Sequence, residues 1–369
     1  MISFGPTEEQ ELVRETVREF ATAELREIAR ECDESAQVPQ EILDKTWELG
    51  LVNGAIPEEY GGGGLDRSPV TNVLVLEELA FGDAALAVSA MAPALFISPL
   101  VDMGTAEQKQ EYLPLFTTAS YHVATLALVE PSFVFDPANL RTIAETKGEG
   151  YRLTGKKRLV PMGDRASHFL VVARTGAREG LDDIEAFLVP RDAKGLTVNA
   201  TEKTMGLRSV PFAALELDGV EVGAAARLGG DAGIDGARLV ALCRTATSAL
   251  ALGVSRAVLE DSIPYAKDRK AFGQAIAQKQ TIAFMLAEMQ IEVNAMRWLV
   301  WKAASQLEHG NDATKATVLA QTYVNREATK IGDRGVQIYG GHGYIRDYPI
   351  EMWYRNVRTL TAMEGIAAV

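Results

Sequence analysis

The chain has 369 residues, of which 47% are hydrophobic and 24% are charged. This composition excludes a disordered chain, and the length predicts a folded protein of two or three domains. Acidic residues outnumber basic ones by 50 to 37, and the resulting net charge of −13 argues against a nucleic-acid partner. Two cysteines, Cys32 and Cys243, are too few for a disulfide framework, and the 4 histidines include no closely spaced pair that would suggest a metal site.

Two features of the first hundred residues bear on the location of the protein. Glu8 and Glu9 come soon after the first residue, and an acidic start is unlike a signal or transit peptide. An uncharged run over residues 84–101 reaches membrane-spanning length, but Pro93 and Pro99 interrupt it. We therefore expect a cytoplasmic protein without a membrane span, in which this run forms a buried, interrupted helix.

The first part of the chain has the period of α-helices. Thr7 and Thr105 are each followed by a glutamine three residues later, which is typical of a capping box at a helix start. The four glycines at 61–64 cannot lie inside a helix, and no strand leads into them and no Gly-Lys-Ser/Thr follows. They indicate a flexible loop rather than a phosphate-binding loop, within a helical domain over residues 1–120.

The middle of the chain changes to short runs rich in β-branched residues. Turn signals separate these runs and predict strands at 123–129, 168–174, 185–190 and 213–222. Strands do not alternate with helices, so a Rossmann dinucleotide-binding unit is excluded. We predict a small antiparallel β domain over residues 121–228.

The helical period returns after Gly229 and Gly230 and predicts a helical domain over residues 229–369. One apolar stripe at helical spacing consists of Ile282, Met285, Leu286, Met289, Val293, Met296 and Val300. Methionine fills irregular gaps in protein cores, so we interpret this stripe as core rather than as a cofactor site.

Two short motifs in this last domain could bind a nucleotide. Arg269, Phe272 and Gln280 offer a cation, an aromatic face and an amide, which suit a pyrophosphate and an adenine ring. The alternative is an arginine in a salt bridge and a phenylalanine in the core. Gln337 with Gly340 and Gly341 would let a backbone approach a ligand closely, and here the alternative is a helix C-cap followed by a turn.

Three motifs in this helical, β, helical order resemble the acyl-CoA dehydrogenase family over nearly the whole chain. They are Pro-Glu-Glu-Tyr-Gly-Gly at 57–62, Asp-Arg-Lys-Ala-Phe-Gly at 268–273, and Gln-Ile-Tyr-Gly-Gly-His-Gly-Tyr at 337–344. The resemblance implies a helical N-terminal domain, an antiparallel β-barrel and a C-terminal four-helix bundle. It also implies FAD as cofactor, an acyl-CoA substrate and an electron-transfer flavoprotein as electron acceptor. In the family the last two motifs hold the neighbouring chain's FAD, which implies that role for Arg269, Phe272, Gln280, Gln337, Gly340 and Gly341.

The segments that flank the flavin ring in the family are altered here. Val-Glu-Pro-Ser-Phe-Val-Phe-Asp at 129–136 replaces the usual Thr-Glu-Pro-x-Ala-Gly-Ser-Asp, and Leu-Val-Pro-Met at 159–162 replaces Trp-Ile-Thr-Asn. Val129 cannot hydrogen-bond a flavin carbonyl, and Phe133 and Phe135 put rings where small residues normally admit the cofactor. These changes favour a chain that completes a partner's FAD site. The alternative is that the new residues pack against a flavin in another way.

The resemblance also implies a carboxylate base that removes the α-proton of the thioester while the β-hydride passes to the flavin. Glu364 lies where the family has the glutamate of its Tyr-Glu-Gly-Thr motif, but Ile366 replaces the threonine and the family's final helix does not follow. The alternative is a solvated glutamate in a frayed tail. Cys243 stands where some members place their base, and the next residue, Arg244, resembles the family's arginine near the CoA moiety.

Two hypotheses remain from the sequence. In the first, the chain is an FAD-dependent acyl-CoA dehydrogenase, as one subunit type of an α2β2 assembly or as a homotetramer. In the second, it is a catalytically silent partner that completes the FAD site of a related active subunit. The acyl group is not indicated by the sequence. Asn356 replaces an aspartate of the family, which predicts the loss of one interdomain ion pair.

Overall fold

The computed structural model describes residues 5–199 and 202–369 and has the helical, β, helical order that the sequence predicts. Within the described residues, the first region contains the helices α1 (Glu8–Phe20), α2 (Arg26–Ser35), α3 (Gln40–Glu48), α4 (Pro69–Gly82), α5 (Ala84–Met91), α6 (Ala94–Met103) and α7 (Ala106–Tyr112). Both predicted capping boxes form, at Thr7 before α1 and at Thr105 before α7. A π-helical turn, Ala21–Leu25, joins α1 to α2.

The uncharged run forms α5 and α6, which are bent by 45° where Pro93 interrupts the helix. Both helices lie almost entirely in the core, as predicted. This bent pair and the later helix α8 (Gly236–Asp268) are long and apolar enough to resemble membrane spans by length and composition alone. However, 83% of the most apolar 18-residue stretch of α8 is buried inside the protein, as expected for a core helix.

The four glycines at 61–64 form a loop, and contacts with residue 56 hold this loop in place. The backbone N–H of Gly64 donates to the carbonyl of Ile56 at 2.9 Å, and a Cβ on Gly62 would lie 2.1 Å from that same carbonyl oxygen. Glycine is therefore required at position 62 because the backbone of residue 56 packs directly against it.

The middle region is one seven-stranded sheet in the described part of the chain. Its strands are β1 (Ala124–Ala127), β2 (Ile143–Lys147), β3 (Gly150–Val160), β4 (His168–Arg174), β5 (Ile184–Pro190), β6 (Leu196–Asn199) and β7 (Ala213–Val222). The order is β1-β4-β2-β3-β7-β6, and β5 pairs with β4. Because this pairing does not close on itself among the described strands, the expected barrel is not confirmed.

The expectation of a wholly antiparallel sheet is wrong. β1 runs parallel to β4, and β2 also meets β4 in a parallel bridge. Parallel neighbours need a long connection, and the hairpin of β2 and β3 lies between β1 and β4 in sequence and supplies it. The remaining pairs, including β3 with β7 and β4 with β5, are antiparallel as predicted.

The last region contains four α-helices among the described residues. These are α8 (Gly236–Asp268), α9 (Gln280–Glu308), α10 (Thr314–Tyr339) and α11 (Ile350–Leu360). A short hairpin of β8 (Lys270–Ala271) and β9 (Gln274–Ala275) follows α8. The predicted stripe on α9 is core as expected, with Met289, Val293, Met296 and Val300 fully buried. The arrangement of the four helices as a bundle stays a prediction.

Hydrogen bonds from α11 connect the last region with the first and the middle regions. Arg355 donates two hydrogen bonds to Asp33 of α2, at 2.7 and 2.9 Å. The buried side-chain oxygen of Asn356 accepts from the backbone N–H of Leu207 at 2.8 Å, in the loop before β7. Asn356 therefore makes a buried hydrogen bond between α11 and the loop before β7.

Candidate active site

A cavity of about 400 Å³, here named the central cavity, lies between the sheet and the last helices. The sheet side contributes the two altered segments that flank the flavin in the resembling family, and the helical side contributes α10 and the turn after α11. The wall includes Val129, Phe135, Leu159, Asn325, Met363 and Glu364. The structure therefore brings together the candidate base and both altered segments, which are far apart in the sequence.

Glu364 is firmly held at the edge of this cavity. Arg244 of α8 donates to its carboxylate from Nε at 3.2 and 3.3 Å and from Nη2 at 3.0 Å. Gln321 of α10 donates from Nε2 at 3.4 Å. The side chains of Glu364 and Arg244 are only 19% and 18% exposed. The alternative of a solvated glutamate in a frayed tail is therefore wrong, because two helices fix this carboxylate.

Cys243, the residue before Arg244, cannot act as a base in this structure. Its side chain is fully buried, and burial together with the nearby Glu364 carboxylate raises the pKa of the thiol to about 12. The group stays a neutral thiol at physiological pH. Within the described residues, no group of His, Cys, Asp and Glu side chains could hold a metal ion.

A buried ion pair that was not predicted from the sequence lies in the wall of the cavity, to which Glu130 contributes. Lys157 of β3 donates to Glu130 at 2.9 Å and to the carbonyl of Leu128 at 3.0 Å. Glu130 also accepts from the backbone N–H groups of Arg141 and Thr142, at 2.6 and 2.9 Å. Burial lowers the pKa of Lys157 to about 8, although Glu130 acts in the opposite direction.

The sequence feature that could have revealed this pair is the alternation of inward-facing and outward-facing residues along β3. Leu153 faces the core, and the residues at every second position from it share its face. That period places Lys157 inside and Lys156 outside, as the structure shows. No strand was predicted over the residues of β3, so the alternation that places Lys157 inside was not recognised.

The altered segment 129–136 obstructs the cavity less than expected. Phe133 lies on the rim with its side chain fully exposed, so its ring does not fill the space. Phe135 is partly buried in the wall. Leu159 has a positive φ of 52°, and its backbone N–H donates to Glu202 at 3.2 Å, so this donor is already used.

The six residues expected at the dinucleotide end form a second group, here named the distal set. Arg269 caps the C-terminus of α8, Gln280 begins α9, and Phe272 stands at the tip of the β8–β9 hairpin with 95% of its side chain exposed. Arg269 is exposed and makes no ion pair or side-chain hydrogen bond with any described residue. The alternative of a salt bridge and a core phenylalanine is therefore wrong.

The rest of the distal set lies at the end of α10. Gln337, Gly340 and Gly341 are exposed, and Gly340 is the C-cap of the helix, as the alternative interpretation stated. A Cβ on Gly340 or Gly341 would meet no atom within 4 Å in the described structure. No described residue requires glycine at 341, so the open backbone there is available to a ligand or a second chain.

The central cavity and the distal set lie at opposite ends of two helices. About 37 Å of α8 separates Arg244 from Arg269, and about 24 Å of α10 separates Gln321 from Gln337. The distal set is therefore separated from the central cavity of the same chain, and its exposed residues are open to a ligand or to a second chain.

These residues fit FAD. The central cavity has apolar walls at Leu159 and Met363 for a flat ring, and Asn325 and Gln321 supply side-chain amides at its helical side. The distal set supplies an unpaired cation and an exposed aromatic ring, which suit a pyrophosphate and an adenine.

The fold and these two groups of residues define a flavin-dependent oxidoreductase. Models of the acyl-CoA dehydrogenase N-terminal, middle and C-terminal domains match residues 7–120, 125–220 and 238–369. The chain belongs to the acyl-CoA dehydrogenase family, whose cofactor is FAD.

Relatives match the chain over nearly its whole length. A caffeyl-CoA reductase–Etf complex subunit of Acetobacterium woodii is 34% identical over 98% of this chain and 96% of its own. A 3-(aryl)acrylate reductase of Clostridium sporogenes is 33% identical over 98% and 96%. The solved butyryl-CoA dehydrogenase from Megasphaera elsdenii is 29% identical, with a TM-score of 0.88 over 97% of this chain and 95% of that one. Because these relatives are named as enzymes, the hypothesis of a catalytically silent partner is not favoured.

Proposed function

We propose that this chain has its own active site in the central cavity, where Glu364 removes the α-proton of an acyl-CoA thioester. The observation that supports this most directly is the position of the Glu364 carboxylate, which lines the cavity together with the two segments that flank the flavin in the family. A general base must reach the proton that it removes, and Glu364 faces the space where substrate and cofactor would meet. When bound, FAD accepts the hydride from the β-carbon of the thioester.

Arg244 and Gln321 orient the carboxylate in this proposal. Together they bind both carboxylate oxygens and hold the side chain at the edge of the cavity until a substrate enters. The base has to turn away from the arginine to reach a substrate α-carbon. The guanidinium is then available to a negative group of the CoA moiety, which is the role that the family resemblance implies for Arg244.

The proposed substrate is a short acyl or aryl-substituted acyl-CoA, and the proposed electron partner is an electron-transfer flavoprotein. The support comes from the relatives, since one is named a subunit of a caffeyl-CoA reductase–Etf complex and another a 3-(aryl)acrylate reductase. Steady-state assays with butyryl-CoA and 3-phenylpropionyl-CoA, with purified electron-transfer flavoprotein as acceptor, test both parts.

The proposed assembly is a tetramer in which each FAD lies between two chains. The exposed, unpaired groups of the distal set, which lie away from the central cavity of their own chain, support this sharing. The altered ring segments favour an α2β2 assembly with a related subunit over four identical chains, since the Val129 side chain has no donor and the Leu159 N–H already donates to Glu202.

Flavin content per chain distinguishes the two assemblies. We expect the chain purified alone to contain little FAD and to gain it on co-expression with a related subunit, because each site needs groups from both. Visible absorbance of the purified protein measures this content. About one FAD per chain in the protein purified alone would instead support a tetramer of identical chains.

Replacing a residue of the distal set should weaken FAD binding in the complete assembly. Arg269→Ala is expected to raise the dissociation constant of FAD about ten- to a hundredfold, since a hydrogen bond from a charged group contributes about 1.5–3 kcal/mol. Flavin retained after gel filtration measures the effect, and the elution volume shows whether the assembly is intact. The matched control is Lys267→Ala, an exposed cation in the same last turn of α8. Equal retention in Arg269→Ala and the control would overturn the assignment.

A further inference from the structure

The two halves of the distal set are connected by one residue of α8. Arg269, at the C-terminus of that helix, donates its backbone N–H to the carbonyl of Tyr265 at 2.8 Å. The Tyr265 hydroxyl donates to the carbonyl of Tyr339 at 3.2 Å, directly before Gly340. Tyr265 is therefore bonded through its backbone to the first half and through its side chain to the second.

The same hydroxyl also contacts a histidine in the segment Gly340–Tyr344, here named the glycine turn. Nδ1 of His342 lies 2.9 Å from the Tyr265 hydroxyl oxygen. A hydroxyl has one proton, so both bonds form together only if Nδ1 of His342 carries a hydrogen and donates it. Burial raises the pKa of Tyr265, although the nearby Arg269 acts in the opposite direction, so the phenol stays protonated at neutral pH.

Ring contacts and a further hydrogen bond hold this arrangement together. The ring of Tyr265 stacks on that of Tyr339, with centroids 3.7 Å apart and an angle of 13° between the planes. The Tyr339 hydroxyl donates to the carboxylate of Asp261 in α8 at 2.5 Å. His342 stacks on Tyr348 with centroids 5.2 Å apart. These contacts fix the glycine turn to the last two turns of α8.

The glycine turn needs this support because glycine has more conformational freedom to lose than any other residue. Gly340 has a φ of 58° and a ψ of −127°, a conformation that glycine adopts readily and that a Cβ would disfavour. Without contacts from α8, a ligand would have to order this backbone when it binds. Ordering the backbone in advance lowers that cost and strengthens binding.

We propose that Tyr265 is a positioning residue for FAD, whose hydroxyl keeps the glycine turn and Arg269 in one arrangement so that both halves of the distal set bind the same dinucleotide. This inference rests on the proposed function, in which the distal set binds FAD in the complete assembly. Tyr265 acts through Gly340, Gly341 and Arg269 and needs no contact of its own with the ligand.

Tyr265→Phe tests this role by removing one oxygen atom. We expect FAD to leave the loaded assembly about five- to tenfold faster, since hydrogen bonds between neutral groups contribute on that scale. The rise in fluorescence of released flavin after dilution measures the rate. At saturating FAD, kcat with butyryl-CoA and the visible spectrum of the bound flavin should stay unchanged, because the variant affects the dinucleotide end and not the ring.

The matched control is Tyr348→Phe, which removes the same atom from the same group of stacked rings. Tyr348 is partly buried like Tyr265, but its hydroxyl makes no hydrogen bond with any described residue. FAD release from this variant should match that from the wild type.

His342 supplies a second pair of variants. His342→Ala removes the donor to the Tyr265 hydroxyl and should release FAD as fast as Tyr265→Phe. His342→Asn keeps an N–H donor at the same number of bonds from the backbone, so it should restore slow release. Asparagine lacks the ring that stacks on Tyr348, so it would not repair a loss that came from packing alone.

The outcomes separate this inference from the function on which it rests. If Tyr265→Phe releases FAD at the same rate as Tyr348→Phe, the positioning role is overturned and the proposed function stands. Equally fast release from His342→Ala and His342→Asn would also overturn it, because ring packing and not the hydrogen bond would then hold the turn. If Arg269→Ala retains FAD as firmly as the wild type, the distal set does not bind FAD, and that part of the proposed function fails together with this inference.

Discussion

Glu364→Gln is expected to lower kcat by about 10²- to 10⁴-fold, the usual contribution of a general base. Glutamine has the same shape as glutamate and can still accept hydrogen bonds from Arg244 and Gln321, so the turn after α11 should keep its structure. It cannot take up a proton from the substrate, because its amide is not basic. FAD content and the KM for the thioester should change little. Stopped-flow reduction of the bound flavin by butyryl-CoA measures the chemical step alone.

The control for this variant is Glu48→Gln, which replaces one carboxylate oxygen by an amide nitrogen in an exposed glutamate at the end of α3. It should leave flavin reduction unchanged. Full activity of Glu364→Gln would show that the carboxylate serves only as a partner of Arg244, and the proposed base would be wrong. A loss of activity accompanied by a loss of FAD would point instead to a role in holding the cofactor.

Local features of the fold could be predicted from the sequence because they depend on residues close together in the chain. The capping boxes at Thr7 and Thr105 form as predicted, since each needs only residues three positions apart. The alternation along β7 is also confirmed, with Leu215 buried and Glu216 exposed. Periodicity and caps therefore fixed the order of the domains without any information from the tertiary structure.

The pairing of the strands could not be predicted in the same way. Three strands of the seven-stranded sheet were missed, β2, β3 and β6, and β3 contains a glycine and several charged residues that make its period hard to recognise. The parallel contact of β1 with β4 joins residues about forty positions apart, which no local pattern encodes. Antiparallel pairing was assumed because hairpins are the simplest connection, and the long crossover through β2 and β3 shows why that assumption failed.

In the candidate site, too, some features could be predicted from the sequence and others could not. Resemblance to a family indicated Glu364 and Arg244 separately, but their ion pair spans 120 positions and follows from the packing of α8 against the turn after α11. The burial of Gly365–Val369 was the opposite of the expectation for a tail. The four apolar residues 366–369 are too few to show a helical or strand period, so the sequence did not indicate that they are buried.

Lys157→Met is expected to lower the free energy of unfolding by about 3–5 kcal/mol, because it leaves the Glu130 carboxylate buried without its cation. Two backbone N–H groups still donate to Glu130, which places the expected loss at the lower end of that range. Denaturant unfolding at pH 7 measures it, below the pKa of about 8 that burial gives Lys157. The wall of the central cavity should also loosen, since Lys157 holds the carbonyl of Leu128 next to Val129.

The neighbouring residue supplies a closely matched control. Lys156→Met removes a pair with Glu216 on the outer face of the same strand, where both side chains are at least half exposed. Such a pair contributes about 0–1 kcal/mol, so the two substitutions should differ by several-fold. The double variant Lys157→Met with Glu130→Gln should recover part of the loss, because it removes the unpaired charge as well. Equal effects of Lys156→Met and Lys157→Met would show that the inner pair does not support the wall of the cavity.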